Sequence, residues 1–182
     1  MGKIARKILK EIAVWGLWVS FAAFLAAFLN HHVLVNAHVM TGSMEGTIMA
    51  ENRVFGLRTS YIFRTPGRGD IIVFESPMPH EFPEPFIKRI IALPGEEIAI
   101  TNGIVHIDGI PLTESYVETV AKRDFAPVVV PEGHVFLMGD NRNYSRDSRE
   151  WGTICKSSII GRIYLDFSPM PRIIANYVYA NQ

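Results

Sequence analysis

The sequence predicts a mainly β protein, with a single N-terminal transmembrane helix followed by an antiparallel β-rich domain. Three observations carry this expectation. One long apolar run, Ile12 to Leu29, follows a basic flank; short apolar runs of strand length fill the remainder; and turns containing Gly or Pro separate those runs.

Taking the helix first, Lys3, Arg6, Lys7 and Lys10 precede the first acid, Glu11, and Ile12 to Leu29 is apolar except for Ser20. A run of roughly 18 residues is enough to cross the hydrocarbon core as a helix. It exceeds the usual signal-peptide core of about 7 to 15 residues, and no small-x-small site follows promptly, so it reads as an uncleaved anchor rather than a removed leader. Positive charge ahead of the span keeps the N-terminus in the cytoplasm and sends everything after Asn30 across. The expected organisation is a cytoplasmic N-terminus (residues 1–11), an anchor (12–30) and one extracytoplasmic domain (31–182); the chain is too short for a second full-sized domain.

After a linker, His31 to Met40, the strand candidates are Arg53 to Leu57, Asp70 to Phe74, Phe86 to Leu93, Glu97 to Ile100, Gly103 to Ile107 and His134 to Met138. Asn102-Gly103, inside Ile98 to Ile107, is the clearest hairpin turn. Ser76 to Pro85 holds four prolines and cannot be a central strand. It reads as an exposed loop whose Met78 and Phe82 touch lipid headgroups, or equally as an ordinary connection. The tail Pro169 to Gln182 is too short and too polar at its end for a second span.

Lysine plus arginine and aspartate plus glutamate number 18 each, so no net field draws in nucleic acid. The lone Cys155 cannot form an intramolecular disulfide and is expected to be a buried structural thiol. The six histidines show no His-Glu-x-x-His spacing, so neither a metal nor another cofactor is expected.

A serine attacks an amide only if a base removes its proton. Thr41-Gly42-Ser43-Met44-Glu45 places two hydroxyls around a small-residue turn, although alone this is also the pattern of an ordinary turn. No histidine has a triad-like context. Lys88, inside Phe86-Ile87-Lys88-Arg89-Ile90-Ile91, becomes a usable base if apolar neighbours desolvate its ammonium and Arg89, if it stays close, repels it; on an exposed strand face it would be an ordinary lysine. Alternation sends Lys88 and Arg89 to opposite faces, so one of the two must point inward. A third segment, Gly139 to Gly152, is dense in Asp, Asn, Ser and Arg and reads as an internally hydrogen-bonded turn.

In this order, Thr41-Gly-Ser-Met-Glu, Arg68-Gly-Asp-Ile-Ile-Val-Phe, Lys88-Arg-Ile-Ile-Ala-Leu-Pro-Gly-Glu and Gly139-Asp-Asn-Arg followed by Ser145-x-Asp-Ser-Arg-x-Trp-Gly resemble the successive motifs of bacterial type I signal peptidases. The likeness runs from the anchor to about Phe167 and is greatest to the small, single-span members typical of Gram-positive bacteria. It implies a Ser/Lys dyad serine endopeptidase with Ser43 as nucleophile and neutral Lys88 as general base. Ser145 would orient Lys88. The Ser43 backbone N–H and the Thr41 hydroxyl would form the oxyanion hole, with threonine replacing the more usual serine. Asp147 and Arg149 would stiffen the loop as an ion pair, and Asp140 and Asn141 would be structural. Gly46 departs from the family's common proline and is expected to loosen the turn after the nucleophile; Phe86 stands where some relatives have tyrosine.

The resemblance also implies the setting: the bacterial cytoplasmic membrane, with membrane lipid and secretory preproteins carrying small-x-small sites as partners, and no obligate protein subunit. A self-cleaving repressor shares the Ser/Lys arrangement but carries a soluble DNA-binding domain where this chain has its span. A specialised processing peptidase, or a silent peptide-binding module, would share the motifs but not the broad activity.

Overall fold

The computed structural model describes residues 2–167 and 170–174. The chain divides into two compact units, Met1–Leu34 and Val35–Gln182. The first is one helix, α1 (Gly2–His32). Its stretch Arg6–His32, 27 residues containing an 18-residue window with a mean hydropathy of 2.2 and none of that window buried, is long and apolar enough to cross a membrane. Trp15, Leu17, Trp18 and Phe24 are all exposed, so apolar side chains surround the helix instead of forming one stripe, as a lipid-facing helix requires. The helix outruns the expected anchor at its N-terminal end because Lys, Arg, Ala and Leu are good helix formers and nothing there breaks it.

The second unit is mainly β. Its strands are β1 (Leu34–His38), β2 (Arg53–Leu57), β3 (Ile71–Phe74), β4 (Phe86–Ala92), β5 (Glu97–Thr101), β6 (Ile104–Ile107), β7 (Ile110–Pro111), β8 (Phe125–Val129), β9 (His134–Met138), β10 (Ile154–Cys155), β11 (Ile159–Phe167) and β12 (Pro171–Ile173), with one short helix, α2 (Ser148–Trp151). The larger sheet runs β1-β2-β11-β3-β4-β9-β10, with β12 also on β11, and the smaller runs β7-β6-β5-β8. From β2 onward the pairings are antiparallel. Asn102-Gly103 makes the expected tight hairpin, with Thr101 opposite Ile104.

All of β3 is buried because both faces of the larger sheet are covered there. Ile71 and Val73 join Val35, Met44, Ile48, Val54 and Ile163 on one side, while Ile72 and Phe74 join Ile90, Val135 and Leu137 on the other. The smaller sheet closes a third cluster, in which Ile98, Ile100, Val105 and Ile107 pack with Ile91, Phe136 and Met138. Two partly covered sheets thus share the ends of β4 and β9, which is where the polar loop after Met138 begins.

Several expectations are corrected. The supposed linker His31 to Met40 contains β1, since Val35 and Val39 alternate inward and are buried. The longest strand, β11, went unrecognised because Arg162 and Asp166 interrupt its apolar pattern, yet both are buried and partnered, by Asp70 and by Asn52. Pro127 hid β8 in the same way. Cys155 is exposed, not buried, because β10 is an edge strand paired, among the described residues, with β9 alone. Residues 76–85 form a connection without strand structure, with Phe82 packed on Phe86. The tail Pro169 to Gln182 lies largely outside the described residues.

Candidate active site

Ser43 sits in a single 3-10 turn, Gly42–Met44, closed by the Glu45 N–H donating to the Gly42 carbonyl at 3.2 Å. Met44 and Ile48, both fully buried, anchor this turn in the core, which is why so short an element holds a fixed place. A second turn follows at once. The Thr47 N–H donates to the Met44 carbonyl at 3.0 Å, Glu45 has φ −55° and ψ 145°, and Gly46 has φ 97°. That is a type II turn, whose third position needs a positive φ. Proline, fixed near −65°, cannot occupy it. Gly46 therefore shapes the turn after Ser43 rather than loosening it, and a Cβ there would lie 3.2 Å from the Tyr116 carbonyl.

β4 brings Lys88 to this turn. Its amine is 2.7 Å from Ser43 Oγ and donates to the Ile87 carbonyl at 3.1 Å, and the residue is 1% exposed. Burial, the largest influence, pushes the Lys88 pKa down from 10.5 to about 8; Asp147 and Asp140 pull it up, and Arg149 pushes it down. The expected repulsion from Arg89 is not what lowers it. Arg89 is fully buried too, and its guanidinium is neutralised by Asp140 in a fork, Nε to Oδ1 at 2.9 Å and Nη2 to Oδ2 at 2.6 Å, with further bonds to the Gly69 carbonyl and Thr47 Oγ1. Both basic residues of β4 point inward where one was expected, because cover lies on both sides of the sheet.

The Thr41 hydroxyl donates to Ser43 Oγ at 3.3 Å. Ser145, expected to hydrogen-bond Lys88, does not: its Oγ is buried without a hydrogen-bond partner. It is nonetheless close to the site, because a Cβ built on Gly139 would meet Ser145 Oγ at 2.3 Å and the Ser43 carbonyl oxygen at 2.4 Å. Gly139 is thus the spacer that lets the chain leaving β9 pass close to both Ser43 and Ser145.

Asp147 and Arg149 form a two-bond ion pair, both at 2.7 Å. Asp147 also caps α2 through the Arg149 N–H and accepts the Gly139 N–H at 3.1 Å, while Arg149 donates to the Arg142 carbonyl. These bonds hold both ends of the polar loop.

Two bridges to the Ser43 turn carry no sign in the sequence beyond the structural part expected of Asn141. The Asn141 backbone N–H donates to the Ser43 carbonyl at 3.2 Å, and its side-chain amide donates to the Gly42 carbonyl and Glu45 Oε2, each at 3.1 Å. The second bridge is Gly139, whose need to be glycine is visible only with Ser43 and Ser145 in place. No histidine takes part: His38 lies near Glu51, and His106 and His134 each meet a carbonyl two residues away.

A mainly β scaffold presenting a serine hydroxyl to a desolvated amine is the framework of a serine hydrolase. The family described as Signal peptidase, peptidase S26, matches residues 12–167. Two relatives from Synechocystis sp. are similar: a probable signal peptidase I-1, 40% identical over 83% of this chain and 80% of the relative, and a probable signal peptidase I-2, 36% identical over 84% and 71%. Signal peptidase I S of Bacillus subtilis is 33% identical over 88% of this chain and 91% of that one. The chain belongs to the signal peptidase family, peptidase S26, and is a serine endopeptidase.

Proposed function

We propose that this chain removes N-terminal signal peptides from exported preproteins, cutting after a small-x-small site with Ser43 as nucleophile and Lys88 as general base. The observation that carries the reading is the 2.7 Å approach of Lys88 Nζ to Ser43 Oγ, both residues being buried. A neutral amine there accepts the Ser43 proton as Oγ bonds to the scissile carbonyl carbon. The resulting ammonium then protonates the leaving amine as the C–N bond breaks, and in the second half the amine deprotonates a water that attacks the acyl carbon, the ammonium returning the proton to Ser43 Oγ as the C–Oγ bond breaks.

The Ser43 N–H and Thr41 hydroxyl are the oxyanion donors in this scheme, for which the placement of Thr41 beside Ser43 Oγ is suited. Ser145 orients Lys88 once a substrate closes the site, and Asp147 with Arg149 keeps the polar loop in shape. α1 anchors the enzyme with residues 1–11 in the cytoplasm and residues 31–182 on the far side of the bacterial cytoplasmic membrane, beside lipid and without an obligate subunit.

The test is cleavage of a preprotein with an Ala-x-Ala site in detergent or lipid by wild type, Ser43→Ala and Lys88→Met. Cleavage at that site by wild type alone is the expected result. Activity surviving either substitution would overturn the dyad, and inactivity of all three would favour a peptide-binding module.

A further inference from the structure

A strap between β7 and β8 clasps the polar loop, and it does so chiefly through Glu114. The Glu114 carboxylate takes a fork from Arg142, Nη1 to Oε2 and Nη2 to Oε1, both at 2.6 Å, with the two side chains 8% and 1% exposed. The Tyr116 hydroxyl donates to the same carboxylate at 2.6 Å, and its ring lies 3.9 Å from the Arg89 guanidinium that pairs with Asp140. Two residues further into the loop from Asp140's neighbour Asn141, Asn143 is tied to the strap by the Lys122 N–H and the Val120 carbonyl. The strap also meets the nucleophile turn, where the Tyr116 carbonyl crowds Gly46.

From Arg142 the chain of contacts runs straight to the reacting pair. Arg142 Nε donates to the Gly139 carbonyl at 3.2 Å, and Gly139 is the residue packed against the Ser43 carbonyl and Ser145 Oγ. A buried arginine held at both ends of its guanidinium transmits position well, since it has few alternative rotamers that keep its bonds. Removing the carboxylate strips a buried cation of its hydrogen-bonded counter-charge, leaving it the Gly139 carbonyl and the charge of Asp140, and the arginine must move to find water or another acceptor.

We infer that Glu114 is a positioning residue for peptide cleavage, which fixes the Gly139 peptide against Ser43 and Ser145 through Arg142. The inference rests on the reading of Ser43 and Lys88 as the reacting pair. It adds a residue of the strap that joins β7 to β8, outside the four motifs, to the machinery that sets their geometry.

The experiment measures kcat and KM for a preprotein with an Ala-x-Ala site, using full-length enzyme in detergent. The variants are wild type, Glu114→Gln, Glu114→Asp, Arg142→Gln and the double Glu114→Gln/Arg142→Gln, with Ser43→Ala alongside. Displacement of about 1 Å at a reacting centre costs on the order of a hundredfold. Glu114→Gln is accordingly expected to lose roughly ten- to a hundredfold in kcat with KM within about twofold, and the double variant to be no worse than the worse single, since the two residues act as a unit. Glu114→Asp, which keeps the charge, recovers part of the loss. Each variant is assayed below its own unfolding midpoint, and if Glu114→Gln does not fold, the kcat and KM of Glu114→Asp decide. Wild-type kcat in the deciding variant, a loss confined to KM, or multiplicative losses in the double would each overturn the inference. Residual activity in Ser43→Ala would instead overturn the reading of the nucleophile, separately from the Glu114 comparison.

Discussion

Lys88 Nζ and Ser43 Oγ stand 2.7 Å apart although 45 positions separate them in the chain, and the amine has almost no access to water. With its pKa lowered to about 8, the lysine is protonated below that pH and free to act as a base above it. The kcat/KM for an Ala-x-Ala preprotein, which reports the free enzyme, is therefore expected to rise about tenfold per pH unit on the acid side and to level off above about pH 8. A profile from pH 6 to 10 measures this; a limb centred near 6 would indicate a histidine instead.

The same burial bears on stability. Between the folded value of about 8 and the ordinary value of 10.5, the unfolded chain holds the Lys88 proton and the folded chain does not, so wild-type stability climbs as pH rises through that window. Below it the penalty of the buried ammonium is fully present, at most about 3 kcal/mol. Lys88→Met should be more stable than wild type at pH 7, with the difference shrinking toward pH 10. Denaturant titrations of the detergent-solubilised protein at several pH values check both signs.

Gly139→Ala should cost activity on the order of a hundredfold, because its Cβ has to displace the Ser43 carbonyl or Ser145. The overpacking is expected to cost about 1–3 kcal/mol of stability. Kinetics on folded protein, together with a thermal midpoint, separate the two effects.

At Gly46 a proline brings a φ the turn cannot use. Gly46→Pro is expected to destabilise by about 3 kcal/mol or more, and Gly46→Ala by about 1 kcal/mol. Greater stability in Gly46→Pro, measured by unfolding midpoint, would show that the turn adopts another form.

Asp140→Asn leaves Arg89 buried with a neutral partner, at a cost of about 3–5 kcal/mol. Calorimetry detects a loss of that size as a clear drop in midpoint.

The sequence makes some elements of the fold plain and conceals others for identifiable reasons. Arg53 to Leu57 and His134 to Met138 match β2 and β9 residue for residue, because a short alternating segment in the first and a short apolar run in the second are each bounded by turns. β11 is masked by Arg162 and Asp166, charges whose partners Asp70 and Asn52 lie far off in the chain. At the site, the turn around Ser43 and the apolar setting of Lys88 are locally no more than candidates, and it is the resemblance across the four ordered motifs that singles them out and pairs Asp147 with Arg149. Glu114 carries no local sign at all, since a carboxylate between β7 and β8 looks like any solvated acid until Arg142 folds onto it.

The position of β11 governs how the molecule can be assembled. Strands β1 and β2 have no direct pairing with β3 and β4; β11 is the strand that joins the two halves of the larger sheet. Ile163 of β11 also completes the cluster in which Met44 seats the Ser43 turn. A growing chain that has not yet supplied residues 159–167 holds two disconnected pieces of sheet, and the loop-closure entropy of joining them falls due only at the end. The Ser43 turn is thereby seated only once residues 159–167 are in place, and a fragment truncated before Ile159 lacks the strand that holds the two halves of the sheet together.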